Sequence, residues 1–311
     1  MITYRWPSYV AQTLPRLLAT CREDVRVWIW HNGEDEQTLK VVRSFATHPR
    51  VAAFHHSPDN QRLRAPTNWL WEHATGEFLG KVDDDCLVSD GWVELLRRAH
   101  DDEPALGVIG SWRFPDEDFV PSVAAAKITT VGGGHRLLRN PWVQGSGYLM
   151  KRRCVEDNGL LRDGQSFTSY CIELAAMGYV NGWYYPFVRE EHLDDPRSPL
   201  TGLRTETDFQ DRFPLTARLR GIGSLAQWDE ENRRSAYSVQ SAHQDPRFHR
   251  GWRRRLRSRI YWLNRRILRR GAQTVRYSGM GVARMPGTPS WEQMYPDGKA
   301  ATRRATSDLG D

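Results

Sequence analysis

Apolar positions along the first two hundred residues fall into two rhythms. Val10, Leu14, Leu17 and Leu18 recur at helical spacing and predict a helix with one buried face. Val25 to Trp30, Val51 to His55, Phe78 to Val82, Leu106 to Trp112 and Trp183 to Val188 are short apolar runs that predict strands, with a helix from Trp92 to Ala99 and another ending at Gly178-Tyr179. Past residue 200 the rhythm fades. Residues 201–245 are polar and predict a connector of short helices or loops. Trp252, Leu256, Ile260, Leu263 and Ile267 then fall at i, i+4, i+8, i+11 and i+15, predicting a basic amphipathic helix over 246–271, followed by a loosely ordered tail over 272–311.

The chain of 311 residues accommodates one large α/β domain plus an appendage, or two small domains. No run approaches the roughly 20 apolar residues that span a bilayer, and no charged-then-apolar leader opens the chain. A cytoplasmic location is the expectation. Four widely spaced cysteines, Cys21, Cys86, Cys154 and Cys171, exclude a disulfide framework and a cysteine zinc site. The net charge of +6 is concentrated in the C-terminal third, where arginines crowd 247–270. Such a helix suits an anionic surface, so peripheral contact with the inner face of a membrane is expected through 247–270. The alternative is that its apolar stripe packs on the main domain. No nucleic-acid-binding motif accompanies it, and nucleic acid is not an expected partner.

One strand ends in three successive carboxylates, Asp83, Asp84 and Asp85. Side chains alternate along a strand, so Asp83 and Asp85 are expected on one side, where one hard divalent ion could bridge them. An acidic surface turn is the plainer reading. The three carboxylates alone leave both readings open.

The stretch Ala74-Thr-Gly-Glu-Phe-Leu-Gly-Lys-Val-Asp-Asp-Asp-Cys86 resembles the segment of glycosyltransferase family 2 that ends in Asp-x-Asp. The resemblance implies a GT-A fold, a Rossmann-like mixed sheet flanked by helices, over residues 1–200. It also implies a nucleotide-sugar donor and Mg²⁺ or Mn²⁺ held at the Asp-x-Asp. Further matches follow in the family's order. Thr3-Tyr4-Arg5 resembles the opening strand-to-helix turn, preceded here by only Met1 and Ile2, as though the first strand were truncated. Asn32-Gly33 resembles the turn that meets the donor nucleotide, with His31 where an Asp is usual. Asn60 and Asn68 match a loop and helix start, beside which Arg62 or Arg64 would face the diphosphate. Gly145-Ser146-Gly147 resembles the strand that lines the sugar site. His192, after the last strand, would join Asp83 and Asp85 as a metal ligand, and Arg197 would pair with the diphosphate. On the same resemblance the donor-binding set is Thr3, Tyr4, Asn32, Arg64, Asn68, Asp83, Asp84, Gly145, Ser146, Gly147 and Arg197.

One departure stands out. Where the family places an acidic pair whose second member is the general base, this chain has Ser166 to Ser169. The base is then sought among Glu173, Glu191 and Asp194, with Asp163, Glu190 and Asp195 also open, because a base needs only to reach the attacking oxygen. The implied reaction is transfer of a sugar to a hydroxyl of a glycan or lipid-linked acceptor, with inversion. A nucleotidyltransferase is an alternative, though the Gly-rich loop it would need near the N-terminus is missing. A non-catalytic, polyanion-binding relic of the same fold is another.

Overall fold

A computed structural model describes residues 1–251. The expected helix over 246–271 therefore falls mostly outside the described residues, which reach only a 3-10 turn at Pro246–His249, and the expected tail over 272–311 falls entirely outside them.

The elements alternate. They run β1 (Ile2–Thr3), α1 (Pro7–Ala19), β2 (Val27–Asn32), α2 (Glu36–Phe45), β3 (Val51–Ser57), α3 (Arg64–His73), β4 (Phe78–Lys81), β5 (Cys86–Val88), α4 (Trp92–Asp102) and β6 (Leu106–Gly110). Then come α5 (Pro121–Ala124), β7 (Ile128–Thr130), β8 (Arg136–Arg139), β9 (Tyr148–Lys151), α6 (Arg153–Asn158), α7 (Phe167–Ala176), β10 (Val180–Tyr185) and β11 (Glu190–His192). Three helices close the described chain: α8 (Glu206–Arg212), α9 (Leu215–Leu219) and α10 (Leu225–Ser241).

β1, β2 and β3 form a parallel sheet, and a second sheet runs β4-β9-β6-β10-β8-β7. A single bridge from Ile2 to Asp83 joins the two, so the carboxylate stretch lies at the seam of one mixed sheet. Helices cover both faces, each over its own apolar layer. On one side α1, α2 and α4 bury Val10, Leu14, Val42 and Leu96 against Ile29, Leu106 and Ile109. On the other, α7 and α10 bury Tyr170, Leu174 and Ala236 with Trp112, Trp183, Tyr148 and Met150. The helical spacing of Val10, Leu14, Leu17 and Leu18 is realised as a buried stripe.

Two stretches are more ordered than their polarity suggests. Residues 128–139 form the antiparallel hairpin β7-β8 on the sheet edge. Their glycines allow close approach: a Cβ on Gly132 would lie 2.1 Å from the Asp102 carbonyl at the end of α4. Residues 201–245 hold α8 to α10. Helix α8 starts with a capping box in which Thr205 and Asp208 satisfy each other's backbone N–H. Helix α10 lays Trp228, Asn232, Ala236 and Gln240 inward at successive i+4 steps.

Candidate active site

The three carboxylates do not lie along a strand. β4 ends at Lys81, and Asp83 to Asp85 form a tight turn in which the Cys86 N–H donates to the Asp83 carbonyl over 3.2 Å. Period-two alternation therefore does not apply, and each carboxylate finds its own partner. Asp83 pairs with the buried Lys81 ammonium. Asp84 accepts the Tyr4 backbone N–H at 2.7 Å, and burial, then the charge of Asp85, push its carboxyl well above the usual range.

Asp85 meets His192. Antiparallel pairing of β5 with β11 sets Cys86 opposite His192, and the Leu193 N–H donates to the Asp85 carbonyl at 2.8 Å. This register brings His192 Nε2 to 3.3 Å from Asp85 Oδ2. Burial alone would raise the Asp85 carboxyl, but the charge and hydrogen bond of His192 hold it below the usual carboxylate value. Asp194, two residues on, hydrogen-bonds the same carboxylate, and burial followed by the charge of Asp85 pushes it up to about 7. Asp85 and Asp194 thus titrate as a pair.

Behind this pair lies a second buried network. The Ser146 hydroxyl accepts the Asp83 backbone N–H at 3.0 Å and donates to the Glu190 carboxylate. Glu190 is 2% exposed, its other oxygen has no partner, and burial raises its carboxyl. A Cβ on Gly147 would lie 2.3 Å from that oxygen, and Gly147 has a φ of 59°. Glycine is thus required twice over. Gly145 faces open space, which leaves room for a ligand beside the backbone.

The other expected donor residues are committed to the fold. Thr3 bonds His31 Nδ1 at 2.9 Å, and the His31 ring is fully buried. Burial, then His56, lower its pKa to about 4, so it is neutral. The Asn32 amide accepts from the Gln61 N–H and the Trp30 indole and donates to the Arg62 carbonyl, anchoring the 60–64 loop. Asn68 makes a two-way amide clasp with the Leu161 backbone. Arg64 pairs with Asp163 at 2.5 Å.

Arg197 lies among Asp118, Asp195 and Asp229 at 2.7, 2.7 and 3.1 Å. It ties the loop after β11 to the Asp116–Asp118 turn and to α10. That guanidinium has no face left for a diphosphate. Glu173 is held by Arg162 and Gln165 on α7. Glu191 lies on the side of β11 opposite His192, where it hydrogen-bonds Ser198, and burial raises its carboxyl. At the serines standing where the family keeps its base, the Ser166 side chain simply caps α7 by accepting the Ser169 N–H. Of the three expected bases, only Asp194 faces the Asp85–His192 pair.

Two participants escape sequence reading. Arg113 follows the end of β6 and reaches His192 Nδ1 at 3.3 Å. Helix α10 supports the same loop: the Trp228 indole donates to the Asp194 carbonyl at 2.7 Å, and Asn232 Oδ1 lies 3.4 Å from Arg113. The one available signal was position, since Arg113 follows the C-terminal end of β6, at the same end of the sheet as the carboxylates after β4.

The donor set fits a hard divalent ion. Among the described residues, Asp85, Cys86 and His192 bring ligand atoms within 4.8 Å of one another. The Cys86 thiol is pushed well above its usual pKa by burial, then by Asp85, and it donates to Asp85 Oδ1 at 3.2 Å. Oxygen and imidazole are therefore the ligands on offer. Four carboxyls here, of Asp84, Glu190, Glu191 and Asp194, are held above their usual range, an excess of buried acid that a cation would relieve.

The model of a family described as glycosyl transferase family 2 matches residues 1–156. Among solved structures, the chain is similar to the mannosyltransferase PcManGT from Pyrobaculum calidifontis in complex with GDP-Man and Mn²⁺. Identity is 17% over 86% of this chain and 78% of that one, with a TM-score of 0.52. It is more loosely similar to S. aureus TarS 1-349. In complex with UDP-GlcNAc that protein aligns at 13% identity over 59% of this chain and 54% of its own, with a TM-score of 0.44. A second TarS 1-349 structure aligns at 12% over 83% and 90%, with a TM-score of 0.45.

Proposed function

The chain belongs to glycosyl transferase family 2 and has the GT-A fold, and from that premise we propose that it moves a sugar from a nucleotide-sugar donor to a hydroxyl of a glycan or lipid-linked acceptor, inverting the anomeric centre with Mg²⁺ or Mn²⁺ bound. The observation that carries this reading is the meeting of Asp85, His192 and Asp194 beyond the strand ends, where ligands of α/β sheets bind. Asp85 and His192 would hold the ion. When bound there, it offsets charge on the diphosphate as the bond to the sugar breaks. Asp83 and Asp84, engaged by Lys81 and Tyr4, shape the turn.

Asp194 is the base in this reading. Its carboxyl, near neutrality and held by the Trp228 indole through its own carbonyl, is placed to take the acceptor's proton. Gly145 and Gly147 let the sugar approach the backbone. PcManGT binds GDP-Man and Mn²⁺, which supports donor and ion classes of this kind.

Calorimetry with UDP-, GDP- and dTDP-sugars, with and without Mn²⁺, tests the assignment. One donor is expected to bind only with the ion. Asp194 is protonated below about pH 7 and the pKa of His192 is raised above its usual value, so a dication on Asp85 and His192 is expected to release more protons at pH 6.5 than at pH 8.5. Ion affinity accordingly falls as the pH drops. Donor binding indifferent to Mn²⁺ at every pH would remove the metal from the reading.

Among the described residues no helix is long and apolar enough to cross a membrane. A cytoplasmic site of action at a membrane face, reached through 247–270, belongs to the same proposal because of that segment's arginines. The full chain is expected to float with anionic vesicles but not with neutral ones; equal behaviour on both refutes the contact.

A further inference from the structure

Beside the proposed ion site lies a cation of the protein's own. Arg113 Nη1 lies 3.3 Å from His192 Nδ1 and 3.4 Å from Asn232 Oδ1, and its guanidinium sits 4.5 Å over the Phe114 ring. A guanidinium donates hydrogen bonds and accepts none. His192 Nδ1 must therefore be the acceptor. In the neutral ring, the form that high pH favours, the proton then resides on Nε2, 3.3 Å from Asp85 Oδ2. Both neighbours are satisfied by this one tautomer.

An imidazole that binds metal through Nε2 needs the opposite arrangement. Its Nε2 must present a lone pair, and its Nδ1 must carry the proton. From this conflict we infer that Arg113 is a displaceable stand-in for the divalent ion: it keeps His192 in the tautomer that cannot ligate. It must release Nδ1 before His192 can take the ion. The inference rests on the cation reading above.

The surroundings suit such a movement. Both contacts of Arg113 are longer than the usual N–H···O distance of about 2.9 Å, so neither locks the side chain. Asn232 is 1% exposed, and its amide nitrogen is committed to the Trp228 carbonyl at 3.1 Å, which turns its oxygen toward Arg113. The Phe114 ring holds the guanidinium's face. Arg113 can thus leave His192 while staying anchored to α10 and Phe114. Arg197, by contrast, is enclosed by carboxylates.

Two readouts on the full chain test the assignment. Long-range proton–nitrogen spectra of histidine-labelled protein at pH 8 report the tautomer of His192, assigned by comparison with His192→Gln, and Mg²⁺ serves as the diamagnetic ion. Without ion, His192 is expected to carry its proton on Nε2, and saturating Mg²⁺ moves it to Nδ1. Arg113→Met, which keeps an apolar stem over Phe114, is expected to bind Mn²⁺ on the order of tenfold more tightly by calorimetry. A proton on Nδ1 in the ion-free protein, or Mn²⁺ affinity in Arg113→Met that equals or falls below that of the parent, overturns the stand-in role and leaves the metal site standing. Absence of Mn²⁺ and Mg²⁺ binding from both proteins at millimolar concentration overturns the metal site and, with it, this role.

Discussion

Asp85→Asn is expected to lower sugar transfer on the order of a thousandfold while the protein stays folded, the scale on which losing a preorganised electrostatic partner acts. The shape of the side chain is kept and its charge is lost. That charge is what His192 and the proposed ion share, and the folded protein holds it ionised against the pull of burial. The neighbouring carboxylate provides the contrast. Asp84 is raised well above the usual range, so near neutral pH it already behaves as an uncharged acceptor for the Tyr4 N–H. Asp84→Asn presents the same acceptor and is expected to change transfer little. Turnover of the donor found by calorimetry, measured with thermal melting of both variants, checks the pair. Equal losses in the two would mean that the turn's shape, and not the Asp85 charge, is what matters.

Gly147→Ala is expected to destabilise the protein strongly. Two costs add there. A φ of 59° strains any residue with a Cβ, by about 1 to 3 kcal/mol at such positions. The new Cβ would also meet the Glu190 carboxylate at 2.3 Å, and that carboxylate is hydrogen-bonded to Ser146 and enclosed. A total of about 3 kcal/mol corresponds to a melting temperature lower by roughly 5 °C for a chain of this size. Replacing Glu190 with Ala in the same protein removes the clash but not the strain, so the double variant should recover part of the loss, a coupling that a double-mutant cycle measures. Gly145→Ala, built into open space, should leave the melting temperature unchanged. Loss of stability at Gly145 as large as at Gly147 would refute the role given to Glu190.

Much of the architecture could be read from local pattern, because period and punctuation are local properties. Val10, Leu14, Leu17 and Leu18 form the buried face their spacing predicts, and His192 stands beside Asp85 as the order of motifs suggested. Pairings across the fold could not be read this way. Arg197 and Arg64 show charge in the sequence, but only the structure shows Asp118, Asp195, Asp229 and Asp163 taking that charge up. The alternation argument for Asp83 and Asp85 assumed a strand where the chain turns, and the three side chains diverge to Lys81, Tyr4 and His192. Residues 201–245 read as a connector because the inward face of α10 includes Asn232 and Gln240, which hydropathy scores as surface. Their partners, Arg113 in one case and the backbone around Asp118 in the other, lie more than a hundred positions upstream.

That separation sets an order of events during synthesis. The carboxylate turn and β11 leave the ribosome well before α10, so for an interval Asp194 lacks the Trp228 indole, Arg113 lacks Asn232 and Arg197 lacks Asp229. The nascent enzyme carries its chemical groups but not the brace that aims them. Competence arrives only when α10 has emerged and packed against the sheet.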